Sequence, residues 1–430
     1  MKAGFYECNI TPPLGCFIWG YYEPHFGEDI DEELFAKAVV IEDGGEVAAF
    51  VAIDSCSIPT DLHDAVTKRV FEYTGIEADR ICISSVHTHK GVSISDAPEI
   101  NCYADKEFKD VCYRKIADAI TLAYKRMKDV TISYDTVQVP GLAHNRTSIL
   151  PNGRYRTWIS NDKKEVAKLG SEDHTYTVMS FKSDGKPIGS ISSFPLHSDS
   201  TGRSSYLSGD YSSAISAAYK EKYGSDFVSV FLLGTCGDIN HADHDVDARP
   251  DYLHFHRVAG RKLAESAFSL IENGTPIGGS GVKVIKELVT FKKRIPSMEE
   301  ALDELSRIKD RYDGMNFFER NYLYYMSTNT DTDEMPTYLQ CVKIGDVCIH
   351  ILPGEIFVDI GLAIKEGSPF EKTMVVENSN SYCGYVPTKN CFEKEHDYLY
   401  ETSLANHSCL VPETADQFVR KSIELAEKIK

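Results

Sequence analysis

The chain has 430 residues, 42% of them hydrophobic and 26% charged, and its 46 basic and 65 acidic residues give a net charge of −19. Such an acidic balance repels phosphate backbones and anionic membranes, which argues against a nucleic-acid partner. No stretch approaches the ~18 uninterrupted apolar residues that a membrane span needs, and the N-terminus lacks the apolar segment of a signal peptide. We therefore expect a cytoplasmic protein without a transmembrane segment.

Apolar periodicity predicts strands and helices that alternate irregularly along the chain. In order, the sequence predicts a hairpin over 37–54 that turns at Gly44 and Gly45, a helix over 60–73, a strand at 80–83, a helix over 105–128, strands at 130–138, 175–182 and 187–194, a helix over 210–222, a strand at 227–233, a helix over 255–272, and strands at 281–291, 338–344 and 347–352. This order predicts an α/β fold of mixed β-sheets with flanking helices, rather than a barrel of eight even repeats.

No linker rich in proline, glycine or serine divides the chain, and no internal repeat is visible, so we expect one domain over 1–430. The charged and polar stretch 296–335 is a predicted helical surface insertion, which either covers the cleft or forms a subunit interface. Residues 413–430 predict a C-terminal amphipathic helix with Thr414 as its N-cap.

Polar residues of metal-binding type follow apolar strand-like runs at four places, where a rigid edge can hold side chains in a cleft. In "ICISSVHTHKG", His87 and His89 point the same way if the chain is extended. In "FPLHS", the strand presents His197. Taken alone, the first pair is as consistent with a hydrogen-bonded strand end as with a metal site, and a lone histidine is more often structural.

The third place is "VSVFLLGTCGDINHADHD", in which the strand breaks at glycines and presents Asp238 and Asn240. His241 and His244 follow in a polar loop with no strand to fix them, which argues against a separate metal site there.

The fourth place joins "VCIHILPGEIFVDIG" to "MVVENSNSYCGYVPT". Glu355 stands at the start of a predicted helix, where its alternative role is to compensate the helix dipole. Tyr382 and Tyr385 follow the next strand, and their alternative role is packing.

Taken in order, these segments resemble the neutral/alkaline ceramidase family, zinc-dependent amidases that hydrolyse the N-acyl bond of ceramide. The resemblance is carried by "NITPPLGCFIWGYY", "VHTHKG", "HNRTS", "FPLHS", "GDINH", "PGEIF", "NSYCGYVPT" and the "YE" pair at 400 and 401. It runs from residue 4 to about 401 and covers the family's catalytic N-terminal domain only. A domain of that kind implies a ceramidase-like zinc hydrolase fold.

The resemblance also implies a set of site residues. Its zinc ligands fall on His87, His197, Glu355 and Tyr385. Its catalytic, substrate-facing residues fall on His89, Arg146 and Tyr400, with Tyr398 as the alternative to Tyr400. Two imidazoles, a carboxylate and a phenolic oxygen are ligands suited to Zn²⁺, and they leave a position for water.

Two departures from the family pattern bear on mechanism and substrate. Asn240 stands where the family has a serine, so metal-activated water is the expected nucleophile. Lys90 replaces the serine after "HTH" and indicates a substrate more polar than ceramide, or an anionic one. The predicted substrate-binding residues are Lys90, Asp238, Asn240 and Tyr382.

We therefore expect a zinc-dependent hydrolase that attacks the carbonyl of a small-molecule acyl substrate, a lipid or a sugar derivative, most simply at an N-acyl amide. An ester or lactone hydrolase acting on a soluble sugar derivative would use the same metal and water. A third candidate is a TIM-barrel amidohydrolase, which likewise begins with H-x-H after a strand but which the irregular strand spacing disfavours. A fourth is a non-catalytic ceramidase-like binding protein, against which stands the retention of all four zinc-ligand positions with His89 and Arg146. The sequence leaves the oligomeric state open.

Overall fold

The computed structural model describes every residue except 22, 158–167, 203, 242–253, 312–315, 329–330 and 394–398. Its helices are α1 Thr60–Thr74, α2 Lys106–Lys125, α3 Asp210–Tyr223, α4 Phe255–Asn273, α5 Met298–Arg311, α6 Asn316–Thr328, α7 Val358–Gly367 and α8 Thr414–Ile429. Its strands are β1 Lys2–Asn9, β2 Asp29–Ile30, β3 Phe35–Asp43, β4 Glu46–Ile53, β5 Ile81–Ser85, β6 Lys128–Asp129, β7 Thr131–Gln138, β8 His144–Asn145, β9 Thr147–Ile149, β10 Tyr155–Thr157, β11 Lys168–Leu169, β12 Thr175–Ser183, β13 Lys186–Ser193, β14 Tyr206–Leu207, β15 Val228–Phe231, β16 Ile239–Asn240, β17 Val282–Lys292, β18 Glu334–Ile344, β19 Val347–Ile351, β20 Glu355–Ile356, β21 Lys372–Val376 and β22 Tyr385–Val386.

The larger sheets repeat one topology three times. Their strand orders are β5-β4-β3-β1-β6, β15-β13-β12-β7 and β21-β19-β18-β17. In each sheet a hairpin (β3–β4, β12–β13 or β18–β19) leads through a helix (α1, α3 or α7) into a strand that runs parallel to the hairpin's second strand. The fourth strand, β1, β7 or β17, lies antiparallel beside the hairpin's first strand. The repeat is one of topology, and the sequence shows no trace of it.

This topology fixes where functional side chains can gather. Because the carboxyl ends of parallel strands meet at one edge of a sheet, each repeat delivers two chain segments to the same place. Strands β4 and β5 lead to Cys56 and His87, β13 leads to His197, and β19 and β21 lead to Glu355 and Tyr382. One buried apolar cluster draws on all three sheets, through residues such as Val39, Phe50, Val178, Ile191, Val230, Val342, Ile349 and Met374.

The predicted mixed α/β class is confirmed, and the predicted helices agree with the observed bounds to within a few residues. The predicted turn between β3 and β4 lies at Gly44 and Gly45, with φ of 65° and 89°, a left-handed region open to glycine. Among the described residues the strands form separate open sheets, which contradicts the TIM-barrel alternative. No helix of the described chain is both long and apolar enough to cross a membrane.

The prediction that Thr414 caps the last helix is wrong. Helix α8 begins at Thr414 itself, and the capping position belongs to Glu413, whose side chain makes no cap hydrogen bond. The Thr414 hydroxyl is buried without a hydrogen-bond partner. A threonine near a helix start is therefore not enough to fix the cap, because packing decides where the first turn begins.

The stretch 296–335 carries α5 and α6. These helices follow β17 and precede β18 along the chain, and the two strands pair with each other. Tyr322 and Tyr325 of α6 are buried, and the Tyr325 hydroxyl donates to the carbonyl of Arg294 at 2.8 Å. They join an apolar cluster with residues of β17, β18 and α8. This segment is thus anchored to the third sheet.

Candidate active site

Three histidine rings meet just beyond β5 and β13. Nε2 of His87 lies 3.0 Å from Nε2 of His197 and 3.4 Å from Nε2 of His89. On its other side, Nδ1 of His87 lies 2.6 Å from the carbonyl oxygen of Cys56. A carbonyl oxygen only accepts, so Nδ1 carries a proton and Nε2 is the nitrogen presented to the cluster.

The backbone at His87 is not extended, contrary to the assumption behind the H-x-H argument. Its φ is 61°, in the left-handed region that non-glycine residues rarely adopt. The amide of His87 donates to the Ser85 hydroxyl at 3.0 Å, and that hydroxyl donates to the carbonyl of Ser55 at 2.5 Å. Strain held by such a network is typical of functional sites.

Glu355 completes the cluster. Its Oε2 lies 3.3 Å from Nε2 of His87 and 4.0 Å from Nε2 of His197, and it is buried with no hydrogen-bond donor. Its Oε1 accepts from the Tyr382 hydroxyl at 2.7 Å. His87, His197 and Glu355 form a candidate metal-binding group, because their ligand atoms all lie within 4.8 Å of one another. A buried carboxylate oxygen without a donor is costly, and a divalent cation between the three would satisfy it.

The electrostatics of two members of the cluster, His197 and Glu355, agree with this interpretation. Burial alone would lower the pKa of His87, the third member, but Cys56 and Glu355 outweigh burial and raise that pKa, so a metal there would displace a proton. Burial, with the neighbouring His87, lowers the pKa of His197 well below its usual value, which favours the neutral imidazole that binds metals. Burial alone would raise the pKa of Glu355, but the neighbouring His87, helped by the Tyr382 hydroxyl, brings that pKa down to about 2. The carboxylate is therefore ionised and attracts positive charge.

Tyr385 lies beside Glu355 because β20 and β22 pair in parallel with these two residues opposite each other. The Tyr385 oxygen accepts from the Arg146 guanidinium at 3.2 Å and from the Tyr400 hydroxyl at 3.2 Å. Arg146 is itself buried, and its Nε donates to Oε1 of Glu401 at 2.8 Å. Arg146 therefore acts on the site through Tyr385 rather than by facing the cavity.

A cavity of about 490 Å³ opens onto the cluster. The predicted site residues that line it are His87, His89, Glu355, Tyr382, Tyr385 and Tyr400. Trp19 and Tyr21 add aromatic walls, and Asn321 and Tyr324 of α6 border it as well. The segment 296–335 therefore reaches the cavity, which was one of the two roles that the sequence left open for it.

Three of the predicted substrate-binding residues do not line the cavity. Lys90 is fully buried; its ammonium donates to the carbonyl of Ser204 and lies 4.6 Å from the centre of the Tyr21 ring. Asp238 accepts from the amide of Val358 at 2.8 Å and from the side chain of Asn145 at 2.8 Å.

Asn240, the third of these residues, is buried and accepts from the amide of His241 at 2.6 Å. His241 packs beside Phe255, with ring centres 5.3 Å apart, and belongs to none of the candidate metal groups found among the described residues. His244 and Tyr398, which the sequence offered as a metal-type residue and as a substitute for Tyr400, lie outside the described residues.

Sequence reasoning missed Cys56, Glu401 and His407. Cys56 follows β4 just as His87 follows β5, so its strand-end position was a usable signal. Glu401 stood in the "YE" pair but received no role, although it pairs with the buried Arg146. His407 lines the cavity and stacks on Tyr400 with ring centres 5.2 Å apart, and nothing in its sequence context indicated this.

Comparison with known proteins agrees with the fold. The family model for neutral/alkaline non-lysosomal ceramidase, N-terminal, matches residues 3–246, more than half of the chain. The structure of a neutral ceramidase from Pseudomonas aeruginosa is 17% identical with a TM-score of 0.78, over 100% of this chain and 74% of that chain. A ceramidase complexed with C2 is 17% identical with a TM-score of 0.77, over 100% of this chain and 75% of that one. No curated protein sequence matches the chain.

The family match and the fold are those of a hydrolase of the ceramidase type. The chain belongs to the neutral/alkaline non-lysosomal ceramidase family. The matched segment contains His87 and His197, whereas Glu355 and Tyr385 lie beyond it and join them only in the folded chain.

Proposed function

We propose that this protein is a zinc-dependent hydrolase that cleaves the acyl bond of a small molecule, most simply an N-acyl amide. One observation carries the proposal: the buried Oε2 of Glu355 has no hydrogen-bond donor and faces Nε2 of both His87 and His197, beside a cavity that His87 and Glu355 line. Nitrogen and oxygen donors of this kind fit Zn²⁺. Zinc bound there would acidify water to a pKa near ~7 and polarise the substrate carbonyl.

Tyr385 is the proposed fourth ligand. Its pairing opposite Glu355 supports this role, and so does the Arg146 guanidinium 3.2 Å from its oxygen. A guanidinium at that distance would stabilise a phenolate, which is the form of tyrosine that binds a metal. Arg146 is accordingly a positioning residue, fixed in turn by Glu401.

His89 and Tyr400 are the proposed catalytic donors. Both line the cavity, and Nε2 of His89 lies 3.4 Å from Nε2 of His87, close to the expected position of the reacting carbonyl. A histidine there can stabilise the developing oxyanion and pass a proton to the leaving nitrogen. The Tyr400 hydroxyl donates to Tyr385 and can hold that ring in place or turn towards the substrate.

The cavity supports a substrate smaller and more polar than ceramide. At about 490 Å³ it lies in the lower half of the ~300–1,000 Å³ range of small-molecule pockets. Its lining includes charged residues, namely Asp61, Asp96, Glu99 and Lys109. The polarity thus comes from the lining and not from Lys90, which was the residue expected to supply it.

The reaction class can be tested with matched substrates that share one acyl group and differ in the bond: an N-acyl amide, an ester and a lactone, each with a soluble polar partner. We expect the largest kcat/KM for the amide. Faster turnover of the ester or lactone would favour the second candidate, a hydrolase of soluble sugar derivatives. A zinc-loaded protein that turns over none of them would support the non-catalytic binding protein instead.

Acyl length gives a second prediction. Tyr324→Ala should open the α6 side of the cavity and raise kcat/KM for a long-chain N-acyl amide about tenfold, with short-chain turnover unchanged, because the added space only benefits atoms that reach it. Kinetics across a series of acyl lengths measure this. Tyr73→Ala, an exposed tyrosine on α1 outside the cavity, is the control. An equal change for short and long chains in the Tyr324 variant would show that α6 does not limit length.

Tyr382→Phe should weaken zinc binding about 10- to 100-fold, because it removes the donor that orients the Glu355 carboxylate. The measurement is competition of the purified protein with a chelator of known zinc affinity. Tyr21→Phe removes a hydroxyl from the same cavity without touching Glu355 and should leave zinc affinity unchanged. Equal affinities of the Tyr382 and Tyr21 variants would argue against Glu355 as a ligand.

A further inference from the structure

Another of the candidate metal-ligand groups among the described residues lies on elements away from the His87 cluster. His256, near the start of α4, faces Asp31 and Glu32, which follow β2. Nε2 of His256 lies 3.3 Å from Oδ2 of Asp31 and 3.3 Å from Oε1 of Glu32. These separations are those of atoms that share one cation, at about 2.0–2.2 Å from each ligand.

The histidine is the unusual member of this group. His256 is 0% exposed, and neither ring nitrogen has a well-aligned hydrogen-bond partner. Burial alone would lower the pKa of this imidazole, but the carboxylates of Glu32, Asp210 and Asp31 outweigh burial and raise that pKa, so a bound cation would displace a proton. The contacts of Nε2 with the two carboxylates are close but not aligned as hydrogen bonds. A simple ion pair would place the proton on a line towards one oxygen, whereas a cation satisfies all three atoms together.

The closer contacts of the carboxylates fall on Oδ1 of Asp31 and Oε2 of Glu32, while Oε1 of Glu32 also lies 3.8 Å from Nε of Arg257, a contact that a bound cation would replace. Arg257 pairs with Oδ1 of Asp31, and the Ser208 hydroxyl donates to Oε2 of Glu32. The side chains of Asp31 and Glu32 are 21% and 24% exposed, so a hydrated cation can reach them and keep water in its remaining positions.

We propose that His256, Asp31 and Glu32 form a second divalent-cation site, separate from the His87 cluster. One imidazole and two carboxylates suit a first-row transition ion such as Zn²⁺ or Mn²⁺, whereas Mg²⁺ and Ca²⁺ prefer oxygen ligands alone.

An ion bound by His256, Asp31 and Glu32 would help to position His89 in the active site. Ser208, which donates to Glu32, also accepts at its carbonyl from the Thr88 hydroxyl at 2.7 Å and donates its amide to the carbonyl of Lys90 at 3.1 Å. Residues 88 and 90 flank His89. An ion at His256 thus tethers three segments, the loop after β2, the approach to α3 and the start of α4, against the turn that holds His89.

The test is metal stoichiometry of the full chain, stripped with a chelator and titrated with Zn²⁺ alone and then with Mn²⁺ alone. Wild type should bind two zinc ions per chain, His256→Ala one, His87→Ala one and the double variant none. The milder substitution Glu32→Gln should lower the affinity of the second site for Zn²⁺ at least 100-fold. His63→Ala removes another buried histidine that also lies beside a carboxylate, Asp64, and should still bind two ions.

A wild type that binds one ion, lost in His87→Ala and kept in His256→Ala, would overturn the second site and leave the proposed function standing. Two ions in His256→Ala or in Glu32→Gln at unchanged affinity would overturn it as well. If His256→Ala fails to fold, Glu32→Gln and Asp31→Asn carry the test, since both keep the volume of the side chain that they replace.

Discussion

His87→Ala and His197→Ala are each expected to lower kcat/KM on an acyl substrate by about 10³-fold or more and to remove the zinc ion of the active site. Each change deletes one of the two imidazoles that face Oε2 of Glu355. Metal catalysis at a carbonyl supplies several kcal/mol, and each 1.36 kcal/mol is tenfold in rate. Zinc content and steady-state kinetics of the two purified variants are the measurements.

His174→Ala is the matched control for these variants. His174 is a partly exposed histidine that also pairs with a carboxylate, Glu172, but it belongs to no candidate metal group among the described residues. It should keep wild-type zinc and activity. If His87→Ala and His197→Ala kept both as well, the proposed metal site would be wrong.

Removing one partner of the Arg146–Glu401 ion pair should lower the free energy of unfolding more than any other substitution proposed for this chain. The two side chains are 3% and 0% exposed, and Glu401 also accepts from the Thr157 hydroxyl at 2.6 Å. Arg146→Met leaves the Glu401 charge buried without its cation, so we expect the free energy of unfolding to fall by about 3–5 kcal/mol. Denaturant unfolding of the full chain measures it, with a metal-free sample beside a zinc-loaded one so that metal loss is separated from the lost pair.

The double variant Arg146→Met/Glu401→Gln should recover part of that loss, because no charge is then left buried and unpaired. Its activity should stay low, since Tyr385 still lacks the guanidinium that donates to it. Lys428→Met breaks the exposed pair with Glu287 and should cost less than ~1 kcal/mol. If Arg146→Met cost no more than Lys428→Met, the pair would not be what holds Tyr385 in place.

The elements of the fold were predictable because they depend on local patterns. Apolar residues spaced about 3.6 positions apart predicted helices such as Thr60–Thr74. The two glycines at 44 and 45 predicted a turn whose backbone conformation other residues adopt only with strain. The threefold topology was not predictable. The three units share the order of their strands and the burial of one sheet face. Many unrelated apolar sequences can form such a buried face, so the three segments need not resemble one another.

Within the site, the predicted strand ends identified the residues to consider, but they did not predict where the side chains of those residues point. His87, His197 and Glu355 do come together, because three parallel strand pairs end at one place. Lys90 does not join them, since the chain leaves β5 through a left-handed residue at 87 and the alternation of strand side chains no longer applies. Cys56 follows a strand end and could have been found in the same way, whereas Glu401 and His407 lie in loop segments whose courses no local pattern encodes.

The proposed zinc site is tested most directly by a crystal structure of the zinc-loaded full chain, with anomalous diffraction recorded on both sides of the zinc absorption edge. We predict a zinc peak bounded by Nε2 of His87, Nε2 of His197 and Oε2 of Glu355, about 2.0–2.2 Å from each. A fully active, zinc-loaded protein with no peak among these three atoms would contradict the proposed site.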